Sequence, residues 1–344
     1  MTPSDLGLMP LSANPKIVVI GAGAVGSLIG GLLSRAGEDV TLVARRAHVE
    51  AIRAKGLRIE GVLGKLTVEV KAAEVLDFRP DLALLAVKTQ DVESACRPVT
   101  GYLQDATVVT LQNGVRSDDM VASFLPRENI IAGVVLFNSQ FLRPGEITYA
   151  RRGVLVIGES FSPYGQRIRD IQGLLRRAIR TEISDDIRGG RWTKLLVNNL
   201  ANGLEAMTGL TISECLRHPG LRKIGVLALK EGYQAMQRAG LHLARLPGVP
   251  APVLMFIIRS PSPVAAWVLS LSMGSLKTLS STLQSLRRGR PTEIEYLNGE
   301  IVRLGQTVGM ATPYNSKVVE LVGQVEKSRQ FYSPADLVSR FSSL

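Results

Sequence analysis

Short, almost wholly apolar runs punctuate the first half of the chain, at 17–20, 40–43, 81–87, 107–111, 130–137 and 154–158, and a further short strand is expected around 181–184. Runs of this length without polar alternation suit strands buried on both faces. Segments of helical spacing separate them, notably 92–103 and 166–179. Strand alternating with helix predicts an α/β fold, a Rossmann-type doubly wound parallel sheet. Beyond Gly189 the apolar residues step by three and four instead, as at Ile294, Leu297, Ile301, Leu304 and Val308, which predicts helices. The chain is thus expected to divide into a sheet domain over 15–186 and an all-helical C-terminal domain over 187–330, with a frayed tail after about 327. A length of 344 residues agrees with about two domains. The apolar, proline-rich stretch 248–276 reads as an insertion packed on the surface. It is either core or an interface between copies, which leaves a homodimer open.

The first run opens a denser pattern. Ile17-Val18-Val19-Ile20 leads into Gly21-Ala22-Gly23-Ala24-Val25-Gly26, then a helix-like segment, then Val40-Thr41-Leu42-Val43. Strand, Gly-x-Gly-x-x-Gly turn, helix and second strand is the order a dinucleotide site requires. Gly21 permits the tight turn, Gly23 lets backbone approach a pyrophosphate, and Gly26 lets the helix sit close on the strand. Ala22, Ala24 and Val25 complete the loop, and the helix N-terminus offers unpaired N–H groups to the phosphates. NAD sites carry Asp or Glu at the end of the second strand, about 20 residues on, for the ribose 2′-hydroxyl. Here no acid lies between Val40 and Ala47; Glu38 and Asp39 stand at the strand's other end. Arg45 and Arg46 occupy the place instead, and a guanidinium fork matches a 2′-phosphate. The bland alternative is two solvated arginines. The pattern favours NADPH/NADP+.

Composition narrows the classes. The formal net charge is +11, but the arginines are scattered, aromatics are few and no nucleic-acid motif is present. An anionic cofactor and a small anionic substrate fit the sign through steering. Cys96 and Cys215 stand alone, which suggests neither a disulfide framework nor a zinc site. Residues 1–15 lack a basic start and a long apolar core, so they read as a loose polar extension rather than a secretory signal. The stretch 253–271 is interrupted by Arg259, Pro261 and Pro263, short of a membrane span. A cytoplasmic protein without nucleic-acid or membrane partners is expected.

Further candidates lie beyond strand ends and on one helix. Lys88 follows the run at 81–87, and Asn113 follows the run at 107–111. Ligands of open α/β sheets bind beyond such carboxyl ends. Asn113 offers a carbonyl and an amide, though Asn113-Gly114 is equally a common turn, and Lys88 is equally a solvated lysine. Lys194, Asn198 and Asn202 recur every four residues, on one face of a helix. Asparagine is a poor helix former, so a solvated face would sooner carry Glu, Lys or Gln. Near the end, Thr292 and Glu295 fit a capping box, which explains Glu295 and leaves Glu293 without a capping role.

Together these motifs resemble the ketopantoate reductase (2-dehydropantoate 2-reductase) family. The likeness rests on the glycine turn, the segments at Lys88 and Asn113, the Lys194/Asn198/Asn202 stripe, Ser281, and Thr292-Glu293-Ile294-Glu295-Tyr296-Leu297-Asn298-Gly299. It spans the chain from Ile17 to about Val322. The resemblance implies an NADPH-binding Rossmann domain and a helical domain that closes over a small-molecule 2-oxo acid. It implies Lys194 as general acid toward the developing alkoxide, with Glu293 assisting at the substrate's distal hydroxyl. Asn198, Asn202 and Ser281 would hold the substrate, and Lys88 and Asn113 would contact cofactor and substrate. The implied reaction is ketopantoate to pantoate in pantothenate biosynthesis. One departure is Ser285, where the family usually has Asp. It and the long insertion leave open a sister reductase acting on another 2-oxo acid or carbonyl. A non-catalytic NADPH sensor is a further alternative, against which Lys194 and Glu293 argue because binding alone needs neither.

Overall fold

The computed structural model describes residues 11–161, 163, 165–273 and 280–344. Residues 1–10 of the expected polar extension and 274–276 of the expected insertion lie outside the described residues. The chain separates into two compact units, Met1–Gln112 with Arg116–Arg188, and Asn113–Val115 with Gly189–Leu344.

The first unit is α/β. Its elements begin β1 (Lys16–Ile20), α1 (Ala24–Arg35), β2 (Asp39–Val43), α2 (Arg46–Lys55), β3 (Leu57–Gly61), β4 (Leu66–Val68), β5 (Lys71–Ala73) and β6 (Leu82–Leu85). Next come α3 (Val92–Cys96), α4 (Thr100–Leu103), β7 (Thr107–Thr110), α5 (Ser117–Val121) and β8 (Ile130–Val135). The unit ends with β9 (Asn138–Arg143), β10 (Glu146–Arg151), β11 (Leu155–Glu159), α6 (Gln166–Arg176) and β12 (Thr181–Ser184). Eight strands form one sheet, ordered β12-β11-β8-β7-β6-β1-β2-β5. Neighbours run parallel except β8 and β11, which pair antiparallel. The apolar runs have a direct cause in β1. Ile17 and Val19 join the core that contains Leu28 and Leu32 of α1, whereas Val18 and Ile20 join the one that contains Val92 and Cys96 of α3. Both faces are covered, so every position from Ile17 to Ile20 is apolar.

Two features of this unit depart from the sequence expectation. The helix expected over 92–103 is broken into α3, a 3-10 turn at Arg97–Val99 and α4. Pro98 lies in that turn, where its missing N–H is tolerated. A second sheet, ordered β4-β3-β10-β9, had no apolar run to announce it. Its strands alternate, with Leu57, Ile59, Ile147 and Tyr149 buried between charged or half-exposed neighbours.

The second unit is helical: α7 (Ile187–Thr208), α8 (Ile212–Arg217), α9 (Pro219–Arg238), α10 (Ala251–Arg259), α11 (Ser262–Met273), α12 (Ser281–Arg287), α13 (Asn298–Thr307), α14 (Pro313–Ser328) and α15 (Pro334–Phe341). The expected frayed tail is instead ordered helix. Ser333 caps α15 by accepting from the Asp336 N–H, and Leu337 and Phe341, four apart, are buried in this unit's core. The insertion forms α10 and α11, which bury Leu254, Ile257, Ile258, Ala265, Ala266 and Leu269 and expose Phe256, Val264 and Trp267. Among the described residues, no helix is long and apolar enough to cross a membrane.

The capping box expected at Thr292 and Glu295 does not form. Ile294–Tyr296 is a 3-10 turn, and Leu297 breaks the backbone (φ −117°, ψ −95°) before α13 starts. The Thr292 hydroxyl accepts from the Ile294 N–H (3.2 Å), and the Thr292 N–H donates to Glu326 (2.7 Å). A capping box stands instead at Thr211 and Glu214, at the start of α8.

Candidate active site

In the first unit β1 lies between β2 and β6, so successive connections leave toward opposite sides and the strand ends mark a switch point. Ile20 of β1 pairs beside Leu85 of β6. The glycine turn and Lys88 follow these two ends. Gly21 has φ +87°, and a Cβ there would fall 2.6 Å from the Val87 nitrogen. A Cβ on Gly26 would lie 2.7 Å from the Gly21 carbonyl oxygen and 2.8 Å from Val19 Cγ1, so α1 rests directly on β1. A Cβ on Gly23, by contrast, would meet only the Gly21 carbonyl oxygen, at an unstrained 4.0 Å. Gly23 precedes α1 without any side-chain cap, which leaves the N–H groups of Ala24, Val25 and Gly26 for an anion. This open, uncapped helix start fits a dinucleotide pyrophosphate.

Arg45 stands just past β2, exposed, at the start of α2. Arg46 is held by Glu50 (2.7 Å). At the opposite end of β2, Glu38 pairs with Arg177 and Asp39 with Lys71. Neither of these two carboxylates stands at the end of β2 that leads into Arg45. Lys88 is partly buried and opens the 3-10 turn Thr89–Asp91.

One residue that supports this loop carried no sequence sign. His48 of α2 is buried, and its Nδ1 accepts from the Gly145 N–H (2.8 Å). The ring proton therefore sits on Nε2, 3.0 Å from Ser27 Oγ, and the Ser27 hydroxyl donates to the Ala22 carbonyl (3.0 Å). Burial pushes the imidazole down from 6.5 to about 4, so it is neutral near neutral pH.

In the second unit α7 is oriented by its apolar face, where Leu195, Leu196, Leu200 and Leu204 are buried. That leaves Lys194 facing the loop Asn113–Val115. The Lys194 ammonium donates to Asn113 Oδ1 (2.9 Å), and Asn113 Nδ2 donates to Glu293 Oε2 (3.3 Å). Glu293 is buried, at the entry to the turn Ile294–Tyr296. Gly114 (φ +86°) passes so close to this turn that a Cβ would lie 2.7 Å from the Tyr296 carbonyl oxygen. An amide thus links a cation and an anion whose sequence positions are far apart. Burial, and then the like charge of Arg191, lower the Lys194 ammonium from 10.5 to about 8; Glu293 opposes the shift. An ammonium poised there can protonate an oxyanion near neutral pH.

Asn198 and Asn202 follow one and two turns on, along the same face of α7 as Lys194. Asn198 is partly buried and Asn202 buried. Ser281 opens α12 and is exposed, while Ser280 caps that helix by accepting from Leu283 (3.2 Å). The Ser285 hydroxyl donates back to the Ser281 carbonyl (2.9 Å), one turn earlier on the same helix. Two charged residues of α7 were missed by the sequence pattern. Arg191 is buried and reaches the Gly114 carbonyl (3.4 Å). Glu205 is buried and accepts from the Ile212 and Ser280 N–H groups (2.7 and 2.8 Å), joining α7 to the starts of α8 and α12. Both share the Lys194 stripe at helical spacing, a signal that could have been read.

Residues 17–161 match the family model described as Ketopantoate reductase PanE/ApbA, and residues 186–326 match Ketopantoate reductase PanE/ApbA C terminal. The 2-dehydropantoate 2-reductase of Pyrococcus horikoshii is 30% identical over 309 residues, 89% of this chain and 96% of that protein. A PanE/ApbA family ketopantoate reductase from Ralstonia eutropha, solved by crystallography, is similar in structure with a TM-score of 0.77 at 32% identity, covering 92% of this chain and 99% of that one. D-mandelate dehydrogenase, solved with NADH and anilino(oxo)acetate, is 25% identical with a TM-score of 0.78, covering 91% of this chain and 99% of that one.

Proposed function

This chain belongs to the ketopantoate reductase family, and on that footing we propose that it reduces 2-dehydropantoate to pantoate with NADPH, a step of pantothenate biosynthesis. The observation that carries the proposal is the Lys194–Asn113–Glu293 array. The Gly21–Gly26 turn and the N–H groups of α1 hold the pyrophosphate, and Arg45 holds the 2′-phosphate. Bound NADPH supplies the hydride that reaches the carbonyl carbon. Negative charge then develops on the ketone oxygen, and the Lys194 ammonium stabilises it and delivers the proton that completes the hydroxyl. Asn113 keeps the ammonium aimed by accepting one of its three protons, which leaves two for the substrate. Glu293 takes the distal hydroxyl. Asn198, Asn202 and Ser281 serve the carboxylate and hydroxyl, and Lys88 steadies the cofactor.

A second reading has its own support: the likeness to D-mandelate dehydrogenase, solved with NADH and anilino(oxo)acetate, and the Ser285 departure. It is a sister reductase for another 2-oxo acid. Steady-state rates with ketopantoate and a panel of branched and aryl 2-oxo acids, each with NADPH and NADH, separate the two. The expected result is the highest kcat/KM for ketopantoate with NADPH. A higher value for another acid moves the chain to the sister reading. Tight NADPH binding without turnover of any acid contradicts both.

A further inference from the structure

Arg191 and Lys194 leave α7 three residues apart, on neighbouring positions of one helical face. The Arg191 side chain is buried, and its guanidinium donates to the carbonyl of Gly114. The Lys194 ammonium donates to the side chain of the preceding residue, Asn113. Two cations from one helix face therefore grip consecutive residues of one loop. On its other side that loop is pressed against the turn Ile294–Tyr296, where Gly114 meets the Tyr296 carbonyl and Asn113 meets Glu293.

We propose that Arg191 is a positioning residue for the reduction: its guanidinium, bonded to the Gly114 carbonyl, fixes the Asn113–Gly114 loop against Glu293 and sets a second positive charge on the helix face that carries Lys194. The proposal rests on Lys194 as the donor. The charged groups acting on Lys194 are Arg191, from its own helix, and Glu293, from the turn packed against the loop. They oppose each other, and burial adds to the effect of Arg191. The arrangement has a second consequence. Two cations against one carboxylate leave the array net positive, which favours an anionic 2-oxo acid over a neutral ketone.

The sign of the effect is fixed by the charge. A like charge disfavours the protonated amine, so removing Arg191 raises the Lys194 pKa. Protonated Lys194 is the donor, so the fall in kcat at alkaline pH moves to higher pH. The test uses full-length Arg191→Leu, Arg191→Lys and wild-type enzyme, with NADPH affinity as the check on folding. Two profiles are measured against pH: kcat with ketopantoate, and the rate of acetylation of Lys194 by acetic anhydride, read by peptide mass spectrometry. For Arg191→Leu both midpoints are expected to rise by about one pH unit. Arg191→Lys keeps the charge but lacks the fork, so its midpoints stay near wild type while kcat falls several-fold. An acetylation midpoint unmoved in Arg191→Leu overturns the proposal. An acetylation midpoint that moves while the kcat profile stays put overturns instead the reading of Lys194 as donor.

Discussion

At the scale of single residues, the site depends on backbone that few side chains tolerate. Gly114 and Gly37 both have positive φ, +86° and +94°, so alanine at either costs about 1–2 kcal/mol of backbone strain. They differ in what surrounds them. A Cβ at Gly37 meets nothing within 4 Å, whereas one at Gly114 would collide with the Tyr296 carbonyl. Gly37→Ala is expected to lower thermal stability and leave kcat unchanged. Gly114→Ala is expected to lower kcat at least tenfold, because the loop must move and carry Asn113 away from Lys194 and Glu293. Equal kcat values in the two variants contradict the role given to the loop. The glycine turn was legible in the sequence for the same reason: Gly21 and Gly26 answer to backbone demands that only one residue type meets. The Lys194–Asn113–Glu293 contact was not legible as a contact. Its members are separated by 81 and 180 positions, and no local rule relates such distances.

At the scale of elements, α2 does two jobs, presenting Arg45 at its start and pinning the glycine turn through His48. The neutral imidazole accepts from Gly145, so protonation must break that bond. Its pKa in the folded protein, about 4, lies below the unfolded value of about 6.5. A depressed histidine contributes stability that is full above pH 6.5 and is lost as the pH falls toward 4. The amount is on the order of 3 kcal/mol. Denaturant unfolding of wild type and His48→Phe should show a wild-type advantage above pH 6.5 that shrinks steadily toward pH 4. A difference independent of pH contradicts this. Elements were legible where burial was two-sided, as in β1 and β6, and poorly legible elsewhere. Strands β3 and β10 alternate weakly over five or six residues, and Pro98 broke an otherwise plausible helix. The apolar steps from Ile294 to Val308 were continuous in sequence, yet Leu297 interrupts the helix between them. Periodicity records which residues are buried and says little of a local change in backbone direction.

At the scale of the whole molecule, the chain forms two units with separate cores, and the proposed function assigns the dinucleotide to the first and the proton donor to the second. Loss of function should divide in the same way. Arg45→Ala is expected to weaken NADPH binding about tenfold or more, by the loss of charge-assisted bonds to the 2′-phosphate, and to leave NADH binding unchanged. Equal losses for the two nucleotides would remove Arg45 from the cofactor site. The most direct test of the central claim is the matching measurement on Lys194→Ala: turnover with ketopantoate, alongside the dissociation constant for NADPH. General-acid catalysis contributes about 10²–10⁴-fold, so kcat should fall by that order while NADPH affinity stays within a few-fold of wild type. A variant that keeps its turnover, or loses cofactor affinity in the same proportion, would contradict Lys194 as the group that completes the reduction.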